Sequence, residues 1–137
     1  MKRLMLSVFA ILAACGVAQA QTFPSKPITV VIPLAAGGAV DTMVRTMLES
    51  MRATLGQPIL VENVGGAGGT TGVNRVARAA PDGYTISVGT WGTHVVNAFV
   101  YTTPYDLLKD LEPLPRERTR IGGNPGHIVL RRGVAGD

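Results

Sequence analysis

Residues 28–45 read ITVVIPLAAGGAVDTMVR and contain a strand, a turn and the start of a helix. The first six residues form a nearly continuous apolar run, which is typical of a strand buried on both faces of a parallel sheet. Gly37 and Gly38 break this run, and apolar residues then recur at helical spacing as far as Leu55. This order is that of the first half of a β-α-β unit.

The predicted helix has recognisable ends. Asp41 or Thr42 is the expected N-cap, because short polar side chains accept hydrogen bonds from the amides of a first turn. Gly56, followed closely by Pro58, is expected to end the helix, since glycine adopts the left-handed conformation and proline cannot continue a helix.

The same cycle occurs twice more along the chain. Strands are predicted at 59–62 and 85–89, and helical segments are predicted at 73–80 and 91–101. A glycine-rich turn at 65–72 connects the second strand to its helix. Three repeats of strand, turn and helix indicate right-handed β-α-β units in a doubly wound α/β sheet.

The first twenty residues, MKRLMLSVFAILAACGVAQA, predict a secretory signal peptide. A basic start precedes an apolar run that is too short to cross a bilayer, and Ala18-Gln19-Ala20 matches a small-x-small cleavage pattern. Residues 12–15 also have the form of a bacterial lipobox, in which Cys15 would carry a lipid. Removal of Cys15 with the signal and lipid anchoring through it are both open at this point, and each implies export.

The net charge of +4 lies mostly outside the body of the chain. Residues 21–115 carry six basic and seven acidic residues, whereas residues 116–137 carry five arginines against two acids. A protein that binds a phosphate backbone needs a basic face on its folded part. The charge distribution therefore argues against nucleic acid as a partner.

The sequence changes in character after Leu114. PRERTRIGGNPGHIVLRRGVAGD is rich in arginine, glycine and proline and has no sustained period, apart from a short apolar run at 128–130. We expect residues 115–137 to form a disordered basic tail, or to be the product of translation in another reading frame.

Residues that could perform catalysis are sparse. His94 and His127 are the only histidines and have no partner at metal-ligand spacing, so we expect no metal site. The chain has no Gly-x-Ser-x-Gly elbow, and the turn at 65–72 fits neither G-x-G-x-x-G nor a P-loop. The sequence predicts a protein that is not an enzyme and has no cofactor.

The turn at 33–41 is the strongest candidate for a binding site. It joins the carboxyl end of a central strand to a helix N-terminus, where ligands bind in open α/β sheets. The amides of a first helical turn lack internal partners, the helix dipole favours negative charge, and Ala-Ala-Gly-Gly lets an anion approach the main chain. A main-chain site for a carboxylate-sized anion and a bare turn without ligand both fit this pattern.

Several motifs occur in a fixed order between Phe23 and about Leu114. They are P-S-K-P-I, A-A-G-G-x-x-D, L-G-Q-P-x-x-V-E-N, A-P-D-G-Y-T, G-T-x-G-T-H and Y-D-x-x-x-D. Taken together, they resemble the Bug-type substrate-binding receptors of tripartite tricarboxylate transporters.

This resemblance implies an α/β, periplasmic-binding-protein-like β-α-β sheet, of which residues 21–114 supply only an incomplete first lobe. It implies a periplasmic receptor that binds a small organic carboxylate and delivers it to the membrane permease subunits of a transporter. The implied ligand-binding residues are Ala35, Ala36, Gly37, Gly38, Asp41, Gly69, Thr70, Thr90 and Thr93.

The sequence also departs from the family. Val40 replaces a smaller or polar residue, and Gly65 follows Val64 directly where an arginine and a proline often intervene. Family members are much longer, so we expect a truncated receptor with low stability and weak or absent binding. The alternative is a small exported interaction or membrane-surface protein whose basic C-terminal tail, with Arg131 and Arg132, binds anionic lipid. An exported α/β hydrolase fragment is a more distant alternative, because no nucleophile with a base is present.

Overall fold

The computed structural model describes residues 22–114 and 127–132. In chain order the elements are β1 (Ile28–Ile32), α1 (Ala39–Leu55), β2 (Ile59–Asn63), a 3₁₀ turn (Ala67–Gly69), α2 (Thr70–Ala77), β3 (Thr85–Gly89), a π-helical turn (Gly92–Val96), α3 (Asn97–Val100), α4 (Leu107–Asp110), β4 (Leu111–Pro113) and β5 (His127–Arg131). The three predicted strands and the three helical segments between and after them are all present, which confirms the α/β class.

The strands form one five-stranded sheet in the order β2-β1-β3-β5-β4. β1 pairs in parallel with both neighbours, so that Val30 lies opposite Val61 on one side and Ile86 on the other. β5 runs antiparallel to β3 and to β4. The chain moves from β1 outward to β2 and then returns past β1 to β3. The carboxyl ends of β1 and β3 therefore flank a topological switch point, where open α/β sheets bind ligands.

Helices cover both faces of the sheet because β1 is apolar on both faces. Val30 belongs to a core cluster that includes Leu48 of α1. Its neighbour Val31 belongs to a second cluster that includes Val73 of α2. Since successive side chains of a strand point to opposite faces, the two helices lie on opposite sides of the sheet. This is the doubly wound arrangement that the sequence predicts.

Helix α1 begins earlier than predicted. Its N-cap is Gly38, so the prediction that Asp41 or Thr42 caps the helix is wrong. Asp41 lies inside the first turn, and its carboxylate accepts a hydrogen bond from the N–H of Gly37. An acidic side chain at this third helical position satisfies a main-chain donor just outside the helix, as in a capping box. The sequence pattern therefore identifies Asp41 as a residue that accepts a main-chain hydrogen bond at the start of the helix, but it misplaces Asp41 by three positions.

The predicted end of α1 is confirmed. Gly56 adopts a left-handed conformation with φ 63°, and its N–H donates to the carbonyl of Arg52. The Arg52 guanidinium donates in turn to the carbonyl of Ile59 at 3.0 Å, which fastens the end of the helix to β2.

Strand β5 corrects the prediction for the C-terminal segment. No regular structure was expected in residues 115–137 beyond the short apolar run, yet His127–Arg131 forms a strand between β3 and β4. Val129 and Leu130 are buried there. Arg131 donates to the carbonyl of Ala79, which ties the strand to the segment after α2. Disorder is therefore the wrong expectation for this strand.

Other predictions fall outside the described residues. These are the signal peptide at 1–20 with Cys15, and the tail residues 115–126 and 133–137. Within the described part of the chain, none of the helices has the length and apolar character needed to span a membrane.

Candidate functional site

Three loops meet where the parallel strands end. Gly69, in the loop after β2, lies between the loop after β1 and the segment after β3: a Cβ there would lie 2.9 Å from the Pro33 carbonyl oxygen and 2.9 Å from Thr93 Cγ2. At Gly72 a Cβ would lie 2.6 Å from the carbonyl oxygen of Val64. Such approaches of main chain to main chain require glycine. The glycine-rich turn therefore serves close packing of the three loops.

The turn after β1 is open to solvent. Ala35, Ala36, Gly37 and Gly38 are all exposed, although Pro33 before them is buried. Helix α1 begins directly after this turn, so its dipole and the amides of its first turn face the same region. An anion can therefore approach this main chain with no large side chain in its path.

Asp41 is buried beneath that turn, with 4% of its surface exposed. Its carboxylate accepts hydrogen bonds from Gly37 N at 2.8 Å, from Arg45 Nε at 2.9 Å and from Asn63 Nδ2 at 2.9 Å. The Arg45 guanidinium first, and then the two other donors, lower the pKa of Asp41 to about 2. The carboxylate is thus ionised at neutral pH and engaged inside the protein.

The second loop is joined to the helix that follows β3. Thr70 is buried, and its hydroxyl donates to the carbonyl of Ala67 at 2.9 Å. The side-chain amide of Asn97 donates to the carbonyl of Gly68 at 2.5 Å. These contacts give the loop a defined conformation beside the turn after β1.

The residues after β3 form a reciprocal cap. The N–H of Thr90 donates to Thr93 Oγ1 at 3.0 Å, and the N–H of Thr93 donates to Thr90 Oγ1 at 3.3 Å. Thr93 is buried and its hydroxyl also donates to the Thr90 carbonyl, whereas Thr90 is half-buried. Thr90 is therefore the more accessible of the two hydroxyls.

The nine predicted site residues fall into two groups. Four of them are exposed main-chain positions in one turn: Ala35, Ala36, Gly37 and Gly38. The other five are buried or half-buried around it: Asp41, Gly69, Thr70, Thr90 and Thr93. Pro33 lies just before the exposed turn and contacts Gly69 in the loop after β2, so the two groups are in contact through these residues.

Two residues outside the nine predicted ones also support the site. Asn63, at the carboxyl end of β2, joins Asp41 to the strand next to β1. His94 is 1% exposed, and its Nε2 lies 2.8 Å from the hydroxyl oxygen of Ser87 on β3. The motifs L-G-Q-P-x-x-V-E-N and G-T-x-G-T-H contain these two residues. The sequence does not indicate their hydrogen-bond partners. Across residues 22–114 and 127–132, the structure has no group of three or more His, Cys, Asp or Glu placed to hold a metal ion.

A separate groove of about 670 Å³ lies between α3 and α4. Phe99 and Leu108 line it together with the acidic residues Asp106 and Asp110, and none of the nine predicted residues does. Two carboxylates disfavour an anionic ligand by electrostatic repulsion. The turn after β1 remains the candidate site for an anion.

The sheet, with its candidate site at the carboxyl ends of β1 and β3, is that of a periplasmic binding protein. The chain is 46% identical to the solved periplasmic binding protein BugD, with a TM-score of 0.62 over 66% of this chain and 30% of that chain. It is 49% identical to MatC from Rhodopseudomonas palustris, solved with bound malate, with a TM-score of 0.61 over 66% of this chain and 31% of that chain.

The sequence comparison agrees with the structural one. Protein BugT from Bordetella pertussis is 34% identical over 119 residues, which are 83% of this chain and 36% of that protein. The sequence model described as tripartite tricarboxylate transporter family receptor matches residues 43–122. The chain belongs to this family, whose members are substrate-binding proteins and not enzymes. It spans about a third of the length of the relatives that it matches.

The family match also bears on the C-terminal segment. It continues through residue 122, past Leu114, and β5 follows at His127. The structural matches to BugD and MatC cover 66% of the chain. A stop of family-like sequence near Leu114, and a change of reading frame there, stay predictions.

Proposed function

We propose that this chain is the part of a periplasmic solute receptor that holds one carboxylate group of a small organic acid. The observation that carries the proposal is the exposed turn 35–38, which has almost no side chains and lies between the carboxyl end of β1 and the N-terminus of α1. Main-chain amides and the helix dipole favour an anion at such a place.

The ligand class follows from the site and from one relative. A turn that recognises a ligand through its main chain matches a carboxylate group in size and charge, and MatC contains malate. In this proposal the turn binds one carboxylate, and the loop after β2 and Thr90 form the adjoining wall. A small dicarboxylate is thus the ligand to test first.

Delivery of the ligand to membrane permease subunits is the second part of the proposal. It is supported by membership of a transporter receptor family and by the predicted signal peptide at 1–20. The proposed location is the periplasm, with either cleavage of the signal peptide or lipid anchoring at Cys15.

The alternative of a membrane-surface protein is not favoured by the described arginines. Arg131 donates to the Ala79 carbonyl, and Arg132 forms an ion pair of 3.0 Å with Glu112. The Glu112 carboxylate therefore offsets the charge of Arg132, and the Arg131 guanidinium is directed at the fold and not at a lipid surface.

The proposal is tested by titrating malate into ¹⁵N-labelled protein and following the amide signals by NMR, a method suited to weak affinities. We expect shifts concentrated at residues 35–40. Ala36→Glu should weaken malate binding about tenfold or more, because it places a negative charge on the turn. Ala53→Glu is the matched control, since position 53 is exposed on α1 but about 20 Å farther along the helix.

Two results would overturn the proposal. One is the absence of any shift at residues 35–40 in a large molar excess of malate, or of other small dicarboxylates and tricarboxylates. The other is equal weakening of binding by Ala36→Glu and Ala53→Glu, which would show that the effect depends only on the net charge of the protein.

A further inference from the structure

The turn after β1 is held at both ends by a single side chain of the neighbouring strand. Asn63 Nδ2 donates to Asp41 Oδ1 at 2.9 Å and approaches the carbonyl oxygen of Leu34 at 3.4 Å. Leu34 precedes the turn, and Asp41 lies in the first helical turn that follows it. The last residue of β2 therefore bridges the entrance and the exit of the turn.

Asp41 fixes the middle of the same turn. Its Oδ2 accepts a hydrogen bond of 2.8 Å from the N–H of Gly37. Gly37 has a φ of 78°, a backbone conformation that residues other than glycine rarely adopt. The hydrogen bond directs this N–H toward the buried carboxylate. The N–H of Gly37 is therefore not available to an external anion, and the other amides of the turn must supply the contacts.

Arg45 closes the network. Its Nε donates to Asp41 Oδ1 at 2.9 Å, and its Nη2 donates to Asn63 Oδ1 at 2.9 Å. The guanidinium thus orients the Asn63 amide and also balances the charge of the Asp41 carboxylate. Without this positive charge, a buried carboxylate below the turn would repel a second carboxylate above it.

We propose that Asp41, Arg45 and Asn63 are positioning residues, which set the conformation of the turn 35–38 before a carboxylate binds and do not contact the ligand. A pre-organised turn loses little conformational freedom on binding, so the network increases affinity without adding a contact. This inference rests on the proposed function for its effect on affinity, but its effect on the turn is independent of any ligand.

The test uses Asn63→Leu, a substitution of similar size that removes both the donor and the acceptor. Asp41→Ala is the second variant, and Thr42→Ala is the matched control. Thr42 is exposed on the same first turn of α1, and its hydroxyl donates to the carbonyl of Gly38 at 3.2 Å, outside the network of Asp41, Arg45 and Asn63.

The first measurement is amide hydrogen exchange at residues 35–38 without ligand, at neutral pH. We expect Asn63→Leu and Asp41→Ala to accelerate exchange about tenfold or more, since a hydrogen bond to a charged group is lost. Thr42→Ala should change the exchange rate at these residues by less than about twofold. Unchanged exchange in folded Asn63→Leu protein would overturn the positioning role.

The second measurement is the affinity for malate, with Leu48→Ala as a control that lowers stability through the core between α1 and the sheet, two helical turns beyond Asp41. A positioning role requires about tenfold weaker binding by Asn63→Leu, and unchanged binding by Leu48→Ala at a temperature where both remain folded. Equal losses of malate affinity in the two variants would show that the network acts only through the overall stability of the protein, and would contradict the proposal. Altered exchange at 35–38 in a protein that binds no carboxylate would instead refute the proposed function and leave the positioning of the turn intact.

Discussion

The guanidinium of Arg131 donates a hydrogen bond of 2.6 Å to the main-chain carbonyl of Ala79. Arg131 is the last residue of β5, and Ala79 lies just after α2, 52 residues earlier in the chain. A long-range contact of this kind fastens the C-terminal strand to the helix that covers one face of the sheet. The arginine is part of the fold, although its sequence context suggested a solvated basic tail.

This relationship predicts unequal effects for two adjacent arginines. Arg131→Met should destabilise the fold by about 1–2 kcal/mol, because the partly buried carbonyl of Ala79 loses a charged donor. Arg132→Met should cost less than about 1 kcal/mol, because the ion pair of Arg132 with Glu112 is largely exposed. Urea denaturation of both variants measures the difference. Equal effects would mean that β5 does not depend on its contact with Ala79.

Close packing of the loops predicts the effect of a methyl group at Gly72. A Cβ there would lie 2.6 Å from the Val64 carbonyl oxygen and 2.9 Å from Pro33 Cα. Gly72→Ala should therefore destabilise the protein by about 1–3 kcal/mol, since main-chain atoms have to move. Thermal or urea denaturation gives the value.

Gly92→Ala is the matched control for that prediction. The nearest atom to a Cβ at position 92 is 3.5 Å away, and the residue is exposed in the π-helical turn. Alanine is favoured over glycine by about 1 kcal/mol in helical backbone, so this variant should be unchanged or slightly more stable. A similar loss at both positions would indicate that the loops are not close-packed around Pro33.

Much of the candidate site follows from local sequence. The apolar run of β1, the glycines after it and the helical spacing of α1 are adjacent in the chain, so local preferences place the turn correctly. The same holds for the glycine-rich loop before α2. The exact N-cap did not follow, because Asp41 and Thr42 both have capping side chains, and tertiary partners hold Asp41 inside the helix.

The parts that could not be predicted depend on pairing between distant segments. Asp41 and Asn63 are 22 residues apart, and only the parallel register of β1 and β2, with Asn63 opposite Ile32, brings them together. β5 is short, is flanked by arginines and pairs with β3, about 40 residues earlier. Its hydrophobic run was too brief to indicate a strand without knowledge of the free edge of β3.

The depressed pKa of Asp41 predicts an acid-dependent loss of stability. The carboxyl titrates near pH 2 in the folded protein and near 3.8 when its donors are absent, so the unfolded state binds protons first as the pH falls. The stabilisation by Asp41 is therefore complete above about pH 5 and is lost between about pH 4 and pH 2. Asp82 and Asp106 also have lowered pKa values, owing first to Lys26 and Lys109, and they contribute in the same acidic region.

Asp41→Asn isolates the contribution of this one carboxylate. The variant should be less stable than the wild type at pH 7. An asparagine amide has no negative charge to pair with Arg45, and its NH₂ group would face the donors Arg45 and Asn63. The difference in free energy of unfolding should shrink steadily as the pH is lowered from 5 toward 2, since the wild-type carboxyl becomes protonated. Urea denaturation of both proteins at a series of pH values gives this difference, with Glu49→Gln as the control, because Glu49 is an exposed acidic residue of the same helix. A difference that stays constant across the series would show that Asp41 acts through its shape and packing and not through its ionised form.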